Sequence, residues 1–118
     1  MLPLVGICQF IPSTDLNSNL EKAKKYMDNC IEKKADIIVL PECWNCPYGI
    51  NNFEKYAIEL DSDEDTISFL KEYSANHNNV YIIGGSIPEK FKDKIYNTCT
   101  IWYDGKMIDF YRKIHLFD

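Results

Sequence analysis

The run Asp36-Ile37-Ile38-Val39-Leu40 leads straight into Pro41-Glu42-Cys43-Trp44-Asn45-Cys46-Pro47-Tyr48-Gly49, and no other stretch constrains the fold as much. An apolar run of this length without alternation suits a strand buried on both faces of a parallel sheet. Two prolines and a glycine then force the chain to turn, so Glu42 stands where a strand ends. In open α/β sheets, ligands bind beyond the carboxyl ends of the strands. A carboxylate at such a place costs free energy unless it has a partner or a use. Position alone leaves two readings open: a functional group, or a surface glutamate that closes a strand.

The flanking segments alternate strand and helix. Residues 4–10 read as a buried first strand, and Pro12-Ser13-Thr14-Asp15 as a loop. Asn17 or Ser18 is positioned to cap a helix running to about residue 34, with Leu20, Ala23, Met27, Cys30 and Ile31 as its apolar stripe. The charged residues on its other face form a solvated surface. Residues 51–60 suggest a short helix or an ordered loop. The acidic cluster 61–65 suits a helix N-terminus, where carboxylates meet the positive end of the dipole. Ile67, Leu70 and Tyr73 make one face of that helix. The same acids suggest a calcium loop, but the Gly and Glu positions of that motif are absent. Residues 80–87 read as a third buried strand and 89–94 as a charged loop. Residues 97–103 and 106–112 flank Asp104-Gly105, a strong signal of a two-residue hairpin. Two βα units, a third strand and an antiparallel hairpin make an α/β layered fold with a mixed sheet. Helices from only two crossovers leave one sheet face bare and an edge unpaired. The 118 residues are therefore expected to be the first part of a larger domain.

Several function classes fall away. A net charge of −5 argues against a phosphate-binding surface for nucleic acid. No apolar run reaches the roughly 20 residues of a membrane helix. The apolar start lacks the positive leader and the cleavage site of a signal peptide. Five cysteines without a framework spacing fit reduced thiols in the cytoplasm. There is no dinucleotide fingerprint and no P-loop, so no cofactor is expected.

Leu40-Pro41-Glu42 with Cys43, Asn45 and Pro47-Tyr48-Gly49, together with Tyr111-Arg112-Lys113-Ile114-His115-Leu116-Phe117-Asp118, resembles the nitrilase superfamily of carbon–nitrogen hydrolases, in its omega-amidase-like branch. Gly84-Gly85-Ser86-Ile87-Pro88-Glu89 and Tyr96-Asn97-Thr98 fit the same branch in the same order. The resemblance implies an α-β-β-α sandwich, of which this chain is the first part, and association into homodimers or higher homo-oligomers. It implies a Glu–Lys–Cys triad with Glu42 as the glutamate and Lys113 as the lysine. The nucleophilic cysteine and a supporting glutamate of the family would lie beyond Asp118. None of Cys8, Cys30, Cys43, Cys46 and Cys99 sits in the family's nucleophile motif. The implied substrate is a small carboxylate-bearing amide such as alpha-ketoglutaramate.

Those residue types match the chemistry. Amide carbonyls are poor electrophiles, so a thiolate attacks and ammonia leaves. A nearby carboxylate moves the protons, and a fixed ammonium stabilises the oxyanion. Tyr48 and Asn45 could contact the substrate, or Asn45 could only brace the loop. His115 could support Lys113 or simply pack, and Arg112 could pair a substrate carboxylate or a structural acid. A rival reading takes Cys43-Trp44-Asn45-Cys46 as a redox dithiol or half a zinc site, although no second C-x-x-C is present. A third takes the chain as a truncated, non-catalytic fragment that acts by association. No metal is expected on either amidase-based reading.

Overall fold

The computed structural model describes residues 2–47 and 49–113. Its elements in order are β1 (Val5–Ile7), α1 (Leu16–Glu32), β2 (Ile37–Val39), α2 (Ile50–Tyr56), α3 (Asp65–Asn76), β3 (Tyr81–Phe91), β4 (Lys94–Tyr103) and β5 (Lys106–Arg112). The five strands form one sheet in chain order. β1, β2 and β3 run parallel, and β3, β4 and β5 are antiparallel. This is the mixed α/β sheet read from the sequence. α1 and α3 pack on the face that carries Ile38, Ile82 and Trp102, and Met27 and Leu70 join them in the core. On the opposite face Val5, Ile7, Tyr81 and Tyr111 stay exposed.

Several expectations shift. The first strand is three residues at the sheet edge rather than a buried 4–10, because only β2 pairs with it and α1 covers only one side. That side is held by Gly6, where a Cβ would overlap Cys30 Sγ; the missing side chain lets the helix approach. β2 is buried on one face, through Ile38, with Ile37 and Val39 half-buried on the other. α1 starts earlier than expected. Asp15 is its cap, accepting the Asn17 N–H at 3.1 Å, so Asn17 and Ser18 fall inside the first turn. The acidic cluster gives α3 only Asp65 in its first turn, and its N-cap Glu64 makes no side-chain cap bond.

The largest difference lies at residues 89–94, which are not a charged loop. β3 continues through Pro88 to Phe91, and Lys92 and Asp93 turn it into β4, Lys92 with φ 56°. The charges mislead because Glu89 is an inside residue, 1% exposed. Its carboxylate accepts Arg112 Nε at 2.8 Å and Nη2 at 2.7 Å, and Thr98 Oγ1 donates to it at 2.7 Å. A bidentate pair with satisfied oxygens is the arrangement that tolerates burial. Proline is tolerated there because β2 has ended and leaves β3 an open edge. Ile58 fills that edge: its N–H donates to Pro88 O and its carbonyl accepts Lys90 N–H. The Asp104-Gly105 hairpin forms as expected, with φ 53° and 80° as a primed turn requires.

The bulge in β3 between Ile83 and Ser86 carries the contact that holds the Glu42 loop. Gly85 has φ +64°, and a Cβ there would overlap the Pro41 carbonyl oxygen and lie 2.8 Å from Trp44 Cδ1. Gly85→Ala is expected to lower unfolding free energy by about 2 kcal/mol or more, from the left-handed backbone and the close approach together. Chemical denaturation checks this. Glu89→Gln is expected to cost about 2 kcal/mol at neutral pH through lost charge-assisted hydrogen bonds. Burial raises the Glu89 carboxyl, but the hydrogen bonds from Arg112 and Thr98 and the guanidinium charge outweigh it and hold it below its usual range. A depressed carboxyl stabilises the fold above its unfolded value of roughly 4.3, and that stabilisation fades as pH falls towards the folded value. The gap between wild type and Glu89→Gln should therefore close on acidification, as denaturation at stepped pH would show.

Candidate active site

The chain leaves β2 at Val39 and turns at once. Leu40 N–H still donates to Ile83 O at 3.0 Å, and Pro41 O accepts Ser86 N–H at 3.2 Å. Cys43 takes φ 50°, a strained setting for a residue with a Cβ. Its N–H donates to Ser86 Oγ at 3.0 Å, which helps hold that conformation. Trp44 is fully buried and donates through Nε1 to Gly84 O at 2.8 Å. The turn is thus nailed to the β3 bulge on both sides of Glu42, whose side chain is exposed.

Lys113 follows directly on β5, whose last residue is Arg112. Its N–H donates to Asn97 O at 2.9 Å, and its Nζ reaches Glu42 Oε1 at 3.2 Å. Two residues 71 apart in sequence meet because β2 and β5 deliver them to the same end of the sheet. Each side chain is a little under half exposed. An ion pair that open contributes about 0–1 kcal/mol to stability, so the fold does not need it. Asn97 completes the cluster. It is 2% exposed, and its Nδ2 donates to the same Glu42 Oε1 at 2.9 Å. Such a group holds a carboxylate and an ammonium side by side at the solvent boundary, able to move a proton and to stabilise an anion.

The other sequence candidates fall in different places. Tyr48 and His115 lie outside the described residues. Asn45 braces the loop: it is buried, and its Nδ2 donates to Thr66 Oγ1 at 3.3 Å. Arg112 pairs the structural acid Glu89 and stacks on Phe91, 4.3 Å from the ring centre to its Cζ. All five cysteines are free. Burial pushes the Cys43 thiol up to about 11, and burial with the neighbouring Cys43 pushes Cys46 up to about 12. A redox dithiol needs the opposite, a lowered thiol beside positive charge. Among the described residues no three His, Cys, Asp or Glu side chains converge as a metal site would require. The residue that sequence reasoning did not single out is Asn97. The one signal within reach was its place in Tyr96-Asn97-Thr98, a motif that carries the family resemblance.

The carbon-nitrogen hydrolase family matches residues 4–118. The chloroplastic omega-amidase of Arabidopsis thaliana is 41% identical in an alignment 118 positions long that covers 97% of this chain and 32% of that protein. Homo sapiens omega-amidase NIT2 is 38% identical in an alignment 117 positions long that covers 97% of this chain and 41% of its own length. The crystal structure of Saccharomyces cerevisiae Nit3, a member of branch 10 of the nitrilase superfamily, superposes with a TM-score of 0.83 at 36% identity, over 97% of this chain and 44% of Nit3. The chain therefore spans 32% to 44% of the length of these relatives. A family match across nearly all of the chain, on a sheet shared with Nit3, means that this chain belongs to the carbon–nitrogen hydrolases of the nitrilase superfamily.

Proposed function

We propose that this chain supplies the glutamate and lysine of a Glu–Lys–Cys amidase site. The observation that carries the reading is the 3.2 Å approach of Lys113 Nζ to Glu42 Oε1 at the ends of two strands. In this scheme a cysteine other than the five of this chain attacks the amide carbon. Glu42 accepts the thiol proton and returns one to the departing ammonia, and Lys113 stabilises the tetrahedral oxyanion. An oxyanion donor of this kind is worth about 3 kcal/mol. Collapse yields a thioester and ammonia. Glu42 then deprotonates a water that hydrolyses the thioester to the acid and restores the thiol. Cys43 is the chain's own thiol beside the pair. It is buried, shares Ser86 Oγ at 3.7 Å and donates to Asn97 Oδ1 at 3.6 Å, so it stays a protonated thiol near neutral pH.

The substrate class proposed is a small carboxylate-bearing amide, with alpha-ketoglutaramate hydrolysed to alpha-ketoglutarate and ammonia as the reference reaction. The matched omega-amidases support that choice. Tyr48, on the loop after Glu42, is the proposed contact for the substrate's polar end. The working protein is proposed to be a cytoplasmic homodimer or higher homo-oligomer, needing no cofactor.

Ammonia release from alpha-ketoglutaramate tests the proposal. The 118-residue chain alone is compared with the chain extended by the portion of the domain that its relatives carry. Turnover is expected only from the extended protein. Glu42→Gln or Lys113→Met in that protein should lower kcat by on the order of 100-fold or more, while Tm stays within the small change expected of an exposed pair. Turnover by the short chain, lost on Cys46→Ser but kept in a Cys8→Ser control, would relocate the nucleophile. Activity in neither protein would refute the amidase reading.

A further inference from the structure

Glu42 and Lys113 lie at a boundary open to water, yet the group between them is buried. Asn97 sits within β4 opposite Pro88, and its backbone and side chain both reach the pair. Its carbonyl accepts the Lys113 N–H at 2.9 Å, fixing where the lysine leaves the sheet. Its Nδ2 donates to Glu42 Oε1 at 2.9 Å. Its Oδ1 accepts the Cys43 S–H at 3.6 Å, which sets the orientation of the amide. Turned over, the amide would aim its oxygen at a carboxylate and its NH₂ at a thiol, losing the charge-assisted bond. Lys113 Nζ donates to the same Oε1. Two donors therefore converge on one oxygen of Glu42. Among the described residues, the other oxygen, Oε2, has no hydrogen-bond partner.

We propose that Asn97 is the positioning residue of this site: it clamps Glu42 by Oε1 and leaves Oε2 as the oxygen that carries the proton. The inference rests on the reading of Glu42 and Lys113 as the catalytic pair. A carboxylate on a surface turn samples several rotamers, and a general base works only when its lone pair is aimed. Lys113, on a long flexible stem, cannot aim it alone. The buried amide can, because β4 fixes its backbone and the Cys43 thiol fixes its plane. Lys113 pairs with Glu42 and the Cys43 thiol lies within its field, and both also touch Asn97.

The first arm of the test uses NMR of the 118-residue chain. One Asn97 side-chain amide proton is expected downfield in the wild type and shifted upfield in Glu42→Gln, while the Asn45 amide stays in place. Glu42 is half exposed, so that variant retains the fold. An Asn97 resonance indifferent to Glu42→Gln overturns the proposal, whatever the other variants do. The second arm measures hydrolysis of alpha-ketoglutaramate by the extended protein. Asn97→Asp keeps the volume and the acceptor for Cys43 but exchanges the donor for a second carboxylate. Asn97→Ala removes both. Each should lose on the order of 100-fold in kcat with little change in KM. Thr100→Val, a buried change on the same strand that deprives Trp102 Nε1 of its acceptor, should lower Tm without moving kcat. Asn97 variants with the wild-type kcat, or with losses no larger than that of Thr100→Val, overturn the inference. Glu42→Gln that retains activity refutes the catalytic reading itself, whereas an inactive Glu42→Gln beside wild-type-like Asn97 variants refutes only the role of Asn97.

Discussion

Gly85 meets Pro41 and Trp44 so closely that no side chain fits between them, and the site depends on that contact. The β3 bulge turns the chain back against the loop that follows β2. Trp44 Nε1 bonds Gly84 O, and the Cys43 N–H bonds Ser86 Oγ, so the three consecutive bulge residues grip Pro41, Cys43 and Trp44 on either side of Glu42. Interiors packed this densely do not yield gradually. The loop is held against the strands beneath it at both flanks of Glu42, whose carboxylate reaches water.

The lysine side is built by a different device. Buried Glu89 holds Arg112 by two hydrogen bonds, and the rings of Phe91, Tyr96 and Phe110 surround the guanidinium. Lys113 is the next residue and takes its direction from that anchor and from its bond to Asn97 O. The stabilising pair and the exposed pair thus sit side by side with different tasks. Glu89–Arg112 is enclosed and supports the fold. Glu42–Lys113 is open and adds little to stability.

Much of this was legible in the residues. The unbroken apolar run before Glu42 announced an interior strand, and Asp104-Gly105 between two strand-like runs announced the hairpin. The pairing of Glu42 with Lys113 was implied by the family resemblance, and their places at the ends of β2 and β5 are what bring them together. Residues 89–94 were misread because charge and a proline look like a loop, and burial of Glu89 depends on Arg112, 23 residues away. The first strand looked buried because its apolar content is high, while its place at the sheet edge is decided by the order of all five strands. Asp15 displaced Asn17 as the cap because both can serve, and Asn19 tying back to Ser13 favours the earlier turn. Asn97 was hidden for the same reason as Glu89: its partners come from two other segments, the loop after β2 and the residue after β5, and no local pattern names them.

If the account is right, Glu42 and Lys113 act as one unit rather than as two independent groups. A double-mutant cycle in the extended protein, built from Glu42→Gln, Lys113→Met and the two combined, measures that coupling from kcat/KM on alpha-ketoglutaramate. Members of a unit are grossly non-additive, so the combined variant should be little worse than either single one. Losses that multiply would mean that the two residues act separately, and would contradict a shared site.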